Sequence, residues 1–169
     1  MTTLNPDHLI EQAERLIVPP RGGSPRQVDL RRAVSAAYYG LFHFCLTMAA
    51  DEFVGITRRA TSRYALVYRS INHRSLRDLC LEAQKRTPPV RFLPWVPGGG
   101  FGTDIQAFAE AASELQQKRH LADYDPQPRL TTLDAKLAIG LARSAIRRFQ
   151  APSAEHRRVF LTLLVCPPR

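Results

Sequence analysis

Apolar positions along this chain recur at three- and four-residue steps rather than in two-residue alternation, and no hairpin signal separates them. The spacing predicts a first helix over 5–18, with Asn5 as N-cap, Pro6 at its first position and Leu9, Ala13, Leu16 and Ile17 on its apolar face. The linker PPRGGSP ends it. A long helix follows over 24–48, capped by Ser24 and Pro25, and it is apolar on every side, as a helix buried among other helices is. Gly55 marks where it has stopped. One of its stripes, Val34, Tyr38, Leu41, Cys45 and Met48, reads as ordinary core. The opposite stripe, Arg32, Ala36, Tyr39 and His43, places an arginine, a phenol and an imidazole along a buried rod.

Further helices are expected over 57–71, with Tyr64, Val67, Tyr68 and Ile71 inward, and over 75–85, with Leu76, Leu79, Cys80 and Ala83 inward. The Pro- and Gly-rich stretch 87–102 reads as a long loop whose Phe92, Trp95 and Phe101 either close one end of the core or stack on bases. Thr103 and Gln106 suggest a capping box for a helix that ends at Asp125 and Pro126. Its inward stripe of Ile105, Phe108, Ala112 and Leu115 continues to Arg119 and Ala122. A helix starting at Thr131 or Thr132 and running to about Gln150 carries Leu133, Leu137, Leu141, Ala145 and Phe149 inward and Lys136, Arg143 and Arg147 outward. A last short helix is expected over 154–165; RRVFLTLLV suits a strand equally by propensity, but no second strand exists to pair with it. The expected fold is all-α, an antiparallel four- to five-helix bundle with short extra helices, in a single domain over 1–169.

The chain's 169 residues suffice for a core without disulfides or metal. Cys45, Cys80 and Cys166 are few, odd in number and far apart, which favours reduced thiols in a cytoplasm. No run approaches the ~18 apolar residues of a membrane span, and the start lacks the pattern of a signal peptide. Charge changes the picture more. The net +9 is carried almost wholly by arginine, since only Lys85, Lys118 and Lys136 are lysines. Arginine pairs with phosphate bidentately and stacks on bases, so RNA or a nucleotide is the favoured partner, against charges that are merely solvated.

The stretch KRHLADYDP, 118–126, concentrates the candidate chemistry. Arg119 falls on a core-facing stripe and needs a partner or a bound anion. Asp123, one turn on, is the obvious one, and His120 and Tyr124 form the neighbouring pair. Arg32, Tyr39 and His43 of the long helix and Arg119, His120, Asp123 and Tyr124 of the later one would make one polar pocket able to hold a phosphate and move a proton. His43, His120 and Asp123 are also the one metal-ligand set available, without a metal motif, and no metal or other cofactor is expected. The GGGFG of the loop lacks the Lys and Ser/Thr of a phosphate loop, and no nucleophile elbow is present.

Together RRAVSAAYYGLFH, VYRSINHRSLRDLC, QQKRHLADYDP and the closing AIRRF resemble the HEPN superfamily, in a variant form with RHxADYDP, over most of the chain. The resemblance implies a compact helical bundle that commonly forms a homodimer, its signature arginine lining a cleft at or near the dimer interface. It further implies a prokaryotic toxin–antitoxin or defence setting, with a nucleotidyltransferase or antitoxin as partner. Many members are metal-independent ribonucleases that use an arginine, a polar residue and, a few positions on, a histidine. Arg119 and His120 match the first two positions, whereas Asp123 or Tyr124 stands where the histidine would be. Two readings result: a binding module for RNA, a nucleotide or a protein partner, which the missing histidine favours, and an endoribonuclease using Arg119 with His120 or His43.

Overall fold

A computed structural model describes residues 4–19, 23–98 and 100–168. Seven α-helices, and no strand, occur among the described residues: α1 (Pro6–Leu16), α2 (Gln27–Val54), α3 (Ser62–Ser70), α4 (His73–Ala83), α5 (Thr103–Tyr124), α6 (Thr132–Gln150) and α7 (Ala154–Val165). The expectation of an all-α bundle therefore holds. Asn5 Oδ1 accepts from the Asp7 amide at 3.0 Å and Pro6 opens α1, as read from the sequence. Part of the linker before α2, residues 20–22, and Gly99 of the later loop lie outside the described residues.

Around α2 the other helices are arranged by register. Arg31, Ser35 and Tyr39 meet the α5 end, Asp123 and Arg119 in that order, so α2 and α5 run antiparallel. Tyr64 and Tyr68 of α3 bond back to Asp51 and His43, making α3 antiparallel as well. Gln27 ties both its amide oxygen and its amide nitrogen to the Leu130 backbone, and Phe44 packs edge-on against Phe149, so α6 follows α2 in parallel. Phe101, Phe108, Phe149 and Phe160 form an aromatic cluster where α5, α6 and α7 converge.

Four boundary or facing expectations are corrected. α2 begins at Gln27 behind Arg26, which pairs with Asp29 at 2.8 Å, rather than at a Ser24 cap, and it runs on to Val54 before Gly55 turns out at φ 101°. The first turn of the segment 57–71 is a 3-10 turn, and α3 starts only at Ser62, after Thr61 caps Tyr64. α5 opens on Gly102 at φ 82° with no side-chain cap, so the Thr103–Gln106 capping box does not form, and Gln106 instead reaches the Lys85 carbonyl at 3.4 Å. On α6 the outward residues are Leu133 and Leu137, 63% and 57% exposed, while Ala135, Ala138, Ile139, Ala142, Ala145 and Phe149 are buried. The reason is angular: a strict four-residue row drifts by about 40° per step, so a row that ends inward at Phe149 has turned outward by Leu133. In the loop before α5, Phe92 and Phe101 are buried and close the core, whereas Trp95 stays exposed.

Among the described residues α2 is the one helix long and apolar enough, by length and composition, to cross a membrane, contrary to the sequence expectation of none. Most of its apolar window, 78%, is buried inside the bundle, so packing against the other helices accounts for that composition. Cys45 and Cys80 are buried free thiols, both pushed up by burial, and Cys166 is exposed and free.

Among the described glycines the closest approach is at Gly40, where an added Cβ would meet Ile10 Cγ1 at 2.6 Å and the Pro6 carbonyl at 3.3 Å. Ile10 is fully buried. Gly40→Ala is expected to destabilise the fold by about 1–3 kcal/mol through overpacking. Gly140→Ala, where a Cβ meets open space, should instead gain roughly 0.5–1 kcal/mol of helix propensity. Urea unfolding midpoints of the two variants should move in opposite directions, and a Gly40→Ala midpoint at or above wild type would refute the α1–α2 contact.

Candidate functional site

The inward stripe of α5 reaches its C-terminal end with a guanidinium on it. Arg119, with 16% of its side chain exposed, stands 2.7 Å from Asp123, equally buried, through Nε and Oδ2. The contact lies off the N–H axis, so the buried Nε–H has no well-directed acceptor even though the charges are paired. Nη2 donates to the Tyr39 hydroxyl at 2.9 Å and to the Tyr124 hydroxyl at 3.4 Å, and both rings also lie within 5.4 Å of the guanidinium carbon. Such cation–π placement adds to the compensation of a partly desolvated charge. Ser35 Oγ donates to the other Asp123 oxygen. Burial works against the Arg119 charge, but Tyr39, Asp123 and Tyr124 outweigh it and hold its pKa above the ordinary value.

Arg31 of α2, which sequence reasoning passed over in favour of Arg32, organises the end of α5. Its guanidinium donates to the carbonyls of Ala122 at 3.0 Å, Asp125 at 2.6 Å and Pro128 at 2.6 Å, with longer contacts to Leu121 and Pro126. The last carbonyls of a helix have no intrahelical partner and carry partial negative charge. Arg31 satisfies that of Ala122 from the neighbouring helix and shapes the 125–128 turn around its own side chain. Arg32, the residue singled out from sequence, is exposed and makes no ion pair among the described residues. Arg31, Arg32, Tyr39, Arg119, Asp123 and Tyr124 line one open cleft of about 450 Å³, with Val28 and Ala122.

No protein-family model, curated protein sequence or solved structure matches this chain.

The predicted constellation is thus divided. Arg32, Tyr39, Arg119, Asp123 and Tyr124 share the cleft. His120 does not line it: it is exposed and borders a separate recess with Arg77, Gln116, Gln117 and Leu121, while its ring lies 5.1 Å from that of Tyr124. His43 is half-buried behind Tyr39 and is held by the Tyr68 hydroxyl at 2.6 Å. The metal-ligand set of His43, His120 and Asp123 does not converge among the described residues.

Behind the cleft lies an aromatic and imidazole layer in which the sequence reading missed His73, the first residue of α4. Its Nδ1 is 2.8 Å from the Tyr38 hydroxyl, its ring packs 4.0 Å from Phe42, and Tyr39 meets it edge-on. Its carbonyl accepts from Gln116 of α5 at 3.2 Å. Burial, then the Arg119 charge and then His43 pull the His73 imidazole below its ordinary range, and burial alone lowers His43. Arg31, Ser35, Tyr38 and Phe42 do follow one helical stripe, so the spacing that exposed Tyr39 and His43 held a signal for these as well. His73 sits in the VYRSINHRS segment, where nothing but its type marks it.

Both imidazoles bind protons less readily in the folded chain than in the unfolded one, whose histidines titrate near ~6.5. The unfolded state therefore takes up more protons as pH falls below that value, and stability drops with it. The contribution is complete above pH ~6.5 and is lost as pH falls through the lowered folded values. Thermal midpoints between pH 8 and 5 should decline below ~6.5, and His73→Gln should make the profile shallower. A slope unchanged by that substitution would remove His73 from the account.

Proposed function

We propose that this protein is a HEPN-type helical module that binds RNA or a nucleotide through the Arg32–Arg119 cleft, in the toxin–antitoxin or defence setting the resemblance implies. The observation that carries this reading is the cleft lining itself. It combines three guanidinium groups with two phenols and one carboxylate, and none of its lining residues is a histidine. Guanidinium groups recognise phosphate with paired, charge-assisted hydrogen bonds, and exposed aromatic rings add contact area to a nucleotide. His43 and His73 are occupied by tyrosine hydroxyls and held toward the neutral form, and His120 faces another recess. The arrangement supports binding over cleavage, since strand cleavage without metal needs a proton-transfer group within reach of the ribose hydroxyl. Leu133 and Leu137, outward on α6, offer apolar area for the homodimer that the resemblance implies.

Fluorescence anisotropy with a labelled single-stranded RNA tests this reading. Arg32→Ala should weaken binding by about tenfold and lower the salt slope by about one, because one phosphate contact is lost. Arg119→Ala should weaken it at least as much. In EDTA the RNA should remain intact through the same incubation. Cleavage in EDTA that disappears in His120→Ala would instead establish the endoribonuclease alternative, and unchanged affinity in both arginine variants would exclude the cleft as the binding site.

A further inference from the structure

We infer that the ligand of this cleft is a phosphate monoester, meaning a nucleoside monophosphate or the phosphorylated end of an RNA strand, rather than an internal phosphodiester. The inference rests on the cleft being the nucleotide site and specifies which phosphate it takes.

Charge comes first. Arg31, Arg32 and Arg119 line the cleft with a single carboxylate, Asp123, which leaves two net positive charges facing one ligand. A phosphate monoester carries about −1.5 to −2 at neutral pH and presents three terminal oxygens, whereas a bridging diester carries one charge per phosphate. The monoester matches the cleft's charge, and the diester leaves part of it unanswered.

The donors point the same way. Asp123 is committed to Arg119 and to the Ser35 hydroxyl, so it does not confront an entering anion as a free carboxylate. Another local source of negative potential is the carbonyl end of α5 and the turn after it, and Arg31 binds the carbonyls of Ala122, Asp125 and Pro128 there. Arg119 commits Nη2 to the two tyrosines and pairs its charge with Asp123, while its Nη1 makes no hydrogen bond among the described residues. Arg32 is exposed and unpaired among them. Two guanidinium groups thus have donors to give to one phosphate, and a third supplies charge from a fixed position. Tyr124, 64% exposed, and Val28, 54% exposed, edge the opening and give the sugar or base an apolar rim.

Isothermal titration with AMP, 2′,3′-cyclic AMP and adenosine separates the phosphate classes on one base and sugar. A second arm compares a 5′-phosphorylated RNA oligonucleotide with its 5′-hydroxyl form and so distinguishes a free nucleotide from a strand end. AMP should bind at least about tenfold more tightly than the cyclic diester, adenosine should not bind measurably, and Arg32→Ala should cost AMP about tenfold. Preference for the 5′-phosphorylated strand over AMP would assign the strand end, and the reverse the free nucleotide. Equal affinity for AMP and the cyclic diester overturns the inference. RNA that binds irrespective of its 5′ group, with AMP not binding, also overturns it while leaving the RNA-binding reading intact. Failure of every nucleotide and RNA probe refutes both.

Discussion

A guanidinium on the core-facing side of α5 is the constraint from which the rest of this structure follows. An arginine taken out of water has to be paired and hydrogen-bonded or it destabilises the fold by several kcal/mol. Arg119 meets that demand with Asp123 one turn along its own helix and with Tyr39 on the opposite one. Because Tyr39 belongs to α2, the pairing sets the register of the two longest helices. Ser35 opposite Asp123 and Arg31 opposite the α5 terminus repeat the same antiparallel alignment one and two turns away. Three successive turns of α2 therefore read out the last turns of α5, and the turn after α5 is wrapped around Arg31.

That alignment also explains why α2 is polar on one stripe while apolar elsewhere. Its remaining faces pack against α1, α3 and α6, with Gly40 letting Ile10 approach and Phe44 meeting Phe149. The polar stripe does not end at the cleft. Tyr38, Phe42 and His43 continue it toward α3 and α4, where Tyr68 and His73 complete a layer of rings and hydroxyls. Tyr38 pairs with His73 of α4 and His43 with Tyr68 of α3, so both phenol hydroxyls and one nitrogen of each imidazole are bonded to a different helix, which lets these rings sit inside a bundle. The cleft is the solvent-facing edge of the layer, and its positive charge is left in excess there because the acidic side chains nearby are spent on structure.

Helix count, helix order and most inward stripes were legible in the sequence because 3.6-residue periodicity is a local signal. The Asn5 cap was legible for the same reason, and so was the start of α6, to within the choice between Thr131 and Thr132. What escaped depended on other parts of the chain. Leu133 and Leu137 fell on the wrong face because a four-residue row drifts around a long helix, and the alanines that in fact face inward give a weaker apolar signal. Arg119, Asp123, Tyr39 and Tyr124 were readable as a group since each lay one helical turn from another candidate. Arg31 was not, because its partners are backbone carbonyls that no side-chain pattern announces. His120 was assigned to the cleft by its position next to Arg119, but adjacent helix residues point about 100° apart, and that rotation carries it to another recess.

The Arg119–Asp123 pair across the α2–α5 seam is tested most directly by a double-mutant cycle on folding free energy with Arg119→Leu, Asp123→Leu and the combined variant. Either single substitution leaves a largely buried charge without its partner and should cost about 2 kcal/mol or more. The combined variant should be destabilised by less than the sum of the two, with a coupling energy above about 1 kcal/mol. Single effects that add within about 0.5 kcal/mol would show that the two side chains act independently, and would contradict the account of Arg119 as the buried charge around which the helices are registered.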